Sequence, residues 1–446
     1  MVHLPDGVRV SDLSRGLVEF HARFADLFAR SEQRDRSREY LRGLLGGVER
    51  RNGWQLAEHL GEAVPDGTQR LLNGASWSAS AARDRLIAFC AEQFGHPEGV
   101  LVFDETGFIK KGTRSVGVAR QYSGTAGKVE NCQVGVFASY VSPHGHALVD
   151  RGLYLPKEWT EDRPRCAQAG VPTRVTFRTR TTMAKRMHHR LRRLGLPIGW
   201  VAGDEVYGDD ESLRQVLAAR GSRYVLTVSC RTEVWSEPPE VRVPPARIDR
   251  MGRPRTRAHV QTPSTRVDTL AFSWPASHWR RLAAHQGEKG PIEYDWAAVR
   301  VVHKRARMPG DLGWLLVRRS VSDPTERAYY LSNAPEGTSL EQLAHVASSR
   351  YSVEQCFEEA KDDLGMDQYE VRTWTAWHRF MTLCMMALAW VASVRGQVES
   401  RRPPAHSPPS PPTSTLGRTS SRERSRKKGG APRSSHRGLS PRSVDC

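Results

Sequence analysis

Val100-Leu-Val-Phe-Asp-Glu-Thr-Gly107 sets four consecutive apolar residues against two acids and a glycine. A short uninterrupted apolar run closed by a turn signal is the pattern of a strand buried on both faces. The same grammar recurs at Gly199-Trp-Val-Ala-Gly203, followed by Asp204-Glu205-Val206-Tyr207-Gly208. Each run delivers a carboxylate just past a strand. In α/β sheets, side chains at the carboxyl ends of strands project into a crevice outside the sheet, where sites form. An Asp there is also an ordinary turn or helix-cap residue, so either stretch alone has a bland reading.

A third acid lies far downstream in Arg350-Tyr-Ser-Val-Glu-Gln-Cys-Phe-Glu-Glu-Ala-Lys361. At about 100° per residue, Arg350, Glu354 and Lys361 fall within roughly 40° of one another. Val353, Phe357, Ala360 and Leu364 form an adjacent apolar stripe. One helix edge therefore shows a carboxylate between two cations. Arg and Glu four apart are a common solvated pair worth a few tenths of a kcal/mol. A carboxylate that grips a divalent metal beside a polyanion has a stronger need of such escorts.

The stretch Phe103–Gly112, with Arg120–Gly135 after it, closely resembles the core of bacterial insertion-sequence transposases of the insertion-sequence 701 type, within the DDE superfamily of endonucleases. Gly203–Gly208 and Tyr351–Lys361 match that family's second and third blocks in the family's order, and the similarity runs from about Tyr40 to about Trp390. The resemblance implies a ribonuclease-H-like catalytic domain with Asp104, Asp204 and Glu354 as catalytic and metal-binding triad. Arg350 and Lys361 occupy places of the family's tyrosine, arginine, glutamate and lysine signature and would grip phosphates. The tyrosine place falls on Ala347 and does not match. Tyr351, beside the arginine, is either a base-stacking residue or a helix-surface tyrosine.

Phosphodiester chemistry places charge on the attacking and the leaving oxygen, and two divalent ions about 3.5 to 4 Å apart can stabilise both. Hard carboxylate oxygens suit two Mg²⁺ ions, or Mn²⁺. The seven cysteines contain no Cys-x-x-Cys pair, and His188-His189 stand without neighbouring ligands, so no zinc site is read. Glu105, Glu205, Asp209 and Asp210 adjoin the first two acids and could share the metal or orient its ligands. Asp104 and Asp204 are preferred because they come first after the apolar strand and match the family's ligand places. Lys110, Lys111, Arg114 and Lys128 follow the first Asp closely and are candidate DNA contacts, with solvated charge as the alternative.

The formal net charge of +18 agrees with a DNA partner, since basic surfaces gain affinity by releasing counterions from phosphates. Residues 396–446 hold 11 Lys and Arg against three acids, which leaves +10 on the rest of the chain. An Arg-rich genome would produce the same excess, so charge alone does not decide.

The expected fold is α/β: a ribonuclease-H-like mixed sheet with helices, interrupted by a β-rich insertion, preceded by an all-helical domain and followed by a disordered tail. Residues 8–95 read as helical, with amphipathic stretches at Leu17–Phe28, Arg38–Leu45, Gln55–Leu60 and Ala81–Phe94 and breaks at Gly46-Gly47 and Pro65-Asp-Gly67, and the family resemblance implies a helical DNA-binding domain. A helical packing module is the alternative. Arg50, Arg51, Trp54 and Arg70 are its candidate DNA contacts. Residues 96–230 form the first part of the catalytic core, with strands at 100–103, 133–141, 147–155, 198–202 and 224–228, a basic helix at 182–194 and another helix at 212–220. The β-rich insertion, 231–337, has strands at 294–302, 314–318 and 328–331, with Trp235, Trp274, Trp279 and Trp296 as packing residues. It accounts for the 149 residues between Asp204 and Glu354. Residues 338–395 complete the core.

Trp374–Val394 is apolar, but His378, Arg379 and Thr382 interrupt it, which argues against a membrane span. The start Met-Val-His-Leu-Pro-Asp lacks an apolar signal region. Free cysteines and a DNA substrate indicate the bacterial cytoplasm. From 396 to 446, Pro, Ser and Arg dominate, and disorder is expected. The function so read is a transposase that binds its element's terminal inverted repeats, cleaves the ends and joins them to target DNA, as a homodimer on DNA. A ribonuclease-H-like nuclease without strand transfer and a non-catalytic DNA-binding remnant remain the alternatives.

Overall fold

The computed structural model of the protein describes residues 10–124, 126–243, 257–287 and 290–401. The tail expected to be disordered lies outside the described residues from 402 onward, as do residues 8 and 9.

Five helices come first: α1 (Val10–Ala22), α2 (Ser31–Leu45), α3 (Gly53–His59), α4 (Asp66–Asn73) and α5 (Ala79–Phe94). Their starts follow local chemistry. The Asn52 side chain accepts from the Trp54 and Gln55 amides, and the Ser78 hydroxyl accepts from the Ala81 amide. Two expectations shift. The first helix ends at Ala22 and not Phe28, with a short 3₁₀ turn at Ala25–Leu27 after it. Pro65-Asp-Gly67 does not break a helix but begins α4, because Pro65 sits at the cap with φ −81°, where its missing N–H costs nothing.

The strands are β1 (Val100–Ile109), β2 (Ala119–Ser123), β3 (Lys128–Ser142), β4 (Gly145–Leu153), β5 (Trp200–Gly203), β6 (Arg223–Val228) and, further on, β7 (Glu233–Trp235), β8 (Val241–Arg242), β9 (His259–Val260), β10 (Thr265–Arg266), β11 (Arg280–Gly287), β12 (Gly290–Arg305), β13 (Met308–Ser320) and β14 (Arg327–Ser332). Twelve of them make one mixed sheet in the order β10-β7-β12-β13-β14-β6-β5-β1-β3-β2, with β4 on β3 and β11 on β12. β3 runs antiparallel to both β1 and β4, whereas β5 and β6 run parallel to β1. The strands after β6 do not form a detached lobe. β14 pairs antiparallel with β6, so they continue the sheet past its centre.

The expected first strand, 100–103, is the part of β1 paired with β5, which ends at Phe103 opposite Gly203. β1 itself runs on to Ile109 because β3 supplies partners throughout, Asp104 facing Phe137. Asp104 is therefore mid-strand, at the point where the parallel neighbour stops.

The remaining helices are α6 (Lys157–Glu161), α7 (Arg163–Gln168), α8 (Arg180–Arg193), α9 (Glu205–Gly208), α10 (Glu211–Ala219), α11 (Val267–Phe272), α12 (Leu340–Ser348), α13 (Tyr351–Asp362) and α14 (Trp374–Arg401). α14 is long and apolar enough by composition to cross a membrane. Here Trp377, Phe380, Met381 and Leu383 are fully buried, and the helix packs on β4, α5, α2 and α4. It continues to Arg401, past the expected tail boundary at 396. The four apolar positions read from the third block, Val353, Phe357, Ala360 and Leu364, are all buried. Phe357 meets Phe137 of β3 edge to face at 5.4 Å, which fixes α13 against the sheet. Cys90, Cys132, Cys166, Cys356 and Cys384 are buried free thiols.

Gly208, which closes α9, is the tightest approach between the loop after β5 and the sheet. A Cβ there would stand 1.6 Å from the backbone oxygen of Thr227 on β6. Gly208→Ala must push α9 off the sheet, so we expect a loss of about 3 kcal/mol or more in urea unfolding. An unchanged midpoint would show that α9 floats free of β6.

Candidate active site

Asp104, Asp204 and Glu354 arrive from three elements separated widely in sequence. Asp104 lies on β1, Asp204 caps α9 directly after β5, and Glu354 lies in the first turn of α13. Because β1 and β5 are parallel neighbours in register to Phe103 and Gly203, the next residue of each is an acid at the same level of the sheet. α13 packs on β1 and β3. This brings Arg350 to both remaining carboxylates: its guanidinium donates to Glu354 Oε1 at 2.8 Å and lies 3.5 Å from Asp104 Oδ2.

The acids are held by backbone as well. Asp104 Oδ1 accepts from the Glu105 amide at 2.8 Å, and Asp204 Oδ1 accepts from the Val206 amide at 3.0 Å. Even so, burial pushes the pKa of Asp104 upward, with Asp204 and Glu105 adding to the shift and Arg350 opposing it. Burial likewise raises Asp204, against Arg350 and its backbone hydrogen bonds. Desolvation favours the neutral acid. Three carboxylates facing one guanidinium leave the cluster short of positive charge.

Glu105 is spent elsewhere. It pairs with Arg180 at the start of α8 and accepts from the Tyr207 hydroxyl at 2.9 Å. Burial and the three nearby acids in turn push Tyr207 well above its ordinary range, so it stays a donor. Arg180 and Tyr207 are site residues that sequence reasoning missed. Tyr207 was inside the second block, and Arg180 sits at the head of the basic helix, but neither carried a spacing signal tying it to Glu105. Burial raises Glu205 first, then Asp209, and the Ser229 hydrogen bond opposes them. Its exposed side chain works with these neighbours rather than with Asp104.

The remaining candidates divide. Lys111, Arg114 and Lys128 are exposed, Lys128 paired with Glu130 at 2.9 Å. Tyr351 is 38% exposed at the head of α13. Lys361 is half-buried on the last turn of α13, and burial lowers its pKa against the pull of Asp367 and Asp362. Lys110 faces inward, contrary to expectation: its ammonium donates to the Tyr369 carbonyl at 2.8 Å and sits 3.4 Å over that ring. Burial pushes it down to about 8. The tyrosine place of the signature, Ala347, is buried on α12 and not on the same helix as Glu354. Arg51 is also internal, donating to Leu44 and Gly46 carbonyls, whereas Arg50, Trp54 and Arg70 are exposed. Trp235 and Trp296 are buried in the β-rich stretch; Trp274 and Trp279 pack at the edge of its smaller core. His188 is buried, its Nε2 2.9 Å from the Ser222 hydroxyl.

The donor set suits a hard divalent cation: carboxylate oxygens, two of them desolvated, with an excess of negative charge. Among the described residues no three His, Cys, Asp or Glu side chains are gathered as a ready ligand set, and the positive charge standing between Asp104 and Glu354 is that of Arg350.

A mixed sheet with one acid on β1 and a second at the same level just after its parallel neighbour β5, overlain by a helix that carries a third, fits the endonuclease class. The family model described as DDE superfamily endonuclease matches residues 23–291, and the chain belongs to that family. A curated relative is the probable transposase for insertion sequence element IS701 of Microchaete diplosiphon, 26% identical over 194 residues, which are 41% of this chain and 48% of the relative. The chain thus spans about half the length of the curated relative it matches. The insertion-sequence 701 resemblance read from the three blocks is upheld by both findings. Among solved structures, the chain is similar to a piggyBac transposase synaptic complex with hairpin DNA, at TM-score 0.37 and 10% identity, over 88% of this chain and 74% of that one.

The raised carboxylates carry a stability cost. A group whose folded pKa lies above its unfolded value favours folding at low pH and opposes it as pH rises through the folded pKa. Asp204→Asn should therefore raise the melting temperature of the metal-free protein by several degrees at pH 8, and by less at pH 5. The same substitution should abolish the rise that millimolar MgCl₂ gives wild type. A variant that melts lower than wild type at pH 8 would contradict the desolvation argument.

Proposed function

We propose that the protein is a transposase that binds the terminal inverted repeats of its own element, cleaves the DNA ends and joins them to target DNA. Asp104, Asp204 and Glu354 would hold two Mg²⁺ ions, which when bound supply charge stabilisation at the attacking and leaving oxygens. Arg350 holds the side chains of Asp104 and Glu354 in common register, and on DNA binding would turn to a phosphate together with Lys361. Tyr351, Lys111, Arg114 and Lys128 are the exposed candidates for contact with the DNA ends.

The single observation behind this reading is the pair of desolvated acids at matching levels of β1 and β5, tied to Glu354 through one guanidinium. The order of β4, β3, β1, β5 and β6, three antiparallel and then two parallel to β1, supports a ribonuclease-H-like core. On that basis 96–230 and 338–395 would be the catalytic core, 231–337 its insertion and 8–95 the helical DNA-binding part. Two ends must be processed in one complex, so a homodimer on DNA in the bacterial cytoplasm follows from the function.

A labelled duplex carrying one element end, incubated with Mg²⁺, tests the proposal. Wild type should nick at the end and transfer the 3′ strand to a target plasmid. Asp104→Asn, Asp204→Asn and Glu354→Gln should each lower the nicking rate about 10³-fold or more while leaving binding in EDTA intact. Nicking without joining would favour a nuclease, and binding without nicking a remnant.

A further inference from the structure

The basic helix α8 does more than pair Arg180 with Glu105. Beyond that residue it borders a groove of about 1040 Å³, walled also by the start of α5, the 172–178 connection and the start of α14. Nine arginines and one lysine line this groove, and no carboxylate does.

Part of the positive charge is neutralised from beneath. Asp150 is fully buried and pairs with Arg190 and, at 3.8 Å, with Arg83; Lys185 lies 3.2 Å from Asp210. Arg174, Arg186 and Arg193 are exposed and form no ion pair with a described residue. Two further guanidiniums are buried yet incompletely satisfied. Arg151 and Arg379 are 3% and 6% exposed, and the Nε of each has no hydrogen-bond partner. An orphaned charged donor in a protein interior costs free energy unless something else reaches it. The crowding of cations registers on their neighbours: burial, with Arg83 next, pushes Arg151 down to about 9, and burial, with Arg151 next, pushes His378 down to about 3.

We propose that this groove is a DNA-binding surface, separate from the acidic cluster, that holds the backbone phosphates of duplex DNA leading away from the catalytic acids. The inference rests on the reading of the chain as a DNA-processing enzyme. Geometry gives the direction: α8 begins beside Glu105 and its 14 residues extend about 21 Å from there. Arg186, Arg190 and Arg193, four and three residues apart, share one side of it. Chemistry gives the form. Surfaces for single strands interleave cations with exposed aromatic faces on which bases stack. Here Trp77 is buried and the Trp374 ring lies against His378 at 4.3 Å, so the groove presents cations without a free tryptophan face. That suits phosphate contacts, which position a duplex without reading its sequence.

The test is fluorescence anisotropy of a labelled terminal-repeat duplex in EDTA across a salt series, with full-length protein. The triple variant Arg174→Ala, Arg186→Ala, Arg193→Ala should bind about 10- to 100-fold more weakly, with a log–log salt slope shallower by about 2 to 3. Its melting temperature should match wild type, and the corresponding triple Lys variant should recover most of the affinity. Duplex binding within about twofold of wild type at unchanged slope would overturn the proposal. So would a loss confined to RNA or to an acidic polypeptide. Because the assay contains no metal, Asp204→Asn should bind as wild type does. Weakened binding by the triple variant of a protein that never nicks DNA would sink the catalytic reading and keep the groove.

Discussion

Three carboxylates around one guanidinium set the terms for the rest of the molecule. Removing Asp104 and Asp204 from water disfavours their charged forms, and Arg350, the nearest cation, is shared with Glu354. A buried ion pair rarely stabilises a fold by itself, since desolvation consumes the Coulombic gain. Unequal numbers of charges are worse. The cluster is thus a local weakness that the surrounding structure must over-determine. It does so with a sheet that supplies neighbours on both sides of β1, with amide caps on both aspartates, and with α13 anchored through Val353, Phe357 and Ala360. Strongly perturbed carboxylates of this kind cluster at functional sites.

The same constraint explains why the glutamate next to Asp104 is not a fourth free acid. Glu105 points at Arg180 and Tyr207, so its charge is neutralised by an arginine from α8 and its second oxygen is occupied by a phenol. Had it faced the other aspartates unpaired, their protons would be harder still to remove. Arg180 also places the head of α8 beside the acids, which links a negative centre to a positive groove through one ion pair. A polyanion drawn to the groove would be led toward the cluster, while that cluster repels it until cations intervene.

Much of this was legible in the chain before any coordinate. Apolar runs ending in Asp104 and Asp204 mark central parallel strands, because only a strand covered on both faces tolerates four apolar residues in succession. The stripe of Val353, Phe357, Ala360 and Leu364 correctly assigns the inner face of α13. Less legible was anything decided by a partner remote in sequence. Glu105 and Gly107 have little intrinsic strand preference, and β1 continues through them because β3 offers hydrogen bonds along its length. Lys110 looks like a solvated cation until Tyr369, 259 residues away, closes over it. A helical wheel gives the azimuth of Arg350 but not whether it reaches outward to phosphate or inward to Asp104.

The helical part shows the same limit from the other side. Its amphipathic stretches are real helices, but the faces of α2, α4 and α5 are buried on α14, which starts at Trp374, about 280 residues after α5 ends at Phe94. Arg51, an apparent DNA contact, is consumed in holding the α2–α3 connection, donating to Leu44 and Gly46 while its amide reaches Gln368. The helices therefore serve first as the wall against which α14 and, through it, β4 and α13 are seated. Any grip they have on DNA has to come from exposed residues such as Arg50, Trp54 and Arg70. Their interior positions answer to the stability of the acidic centre, because they seat α14 and, through it, β4 and α13.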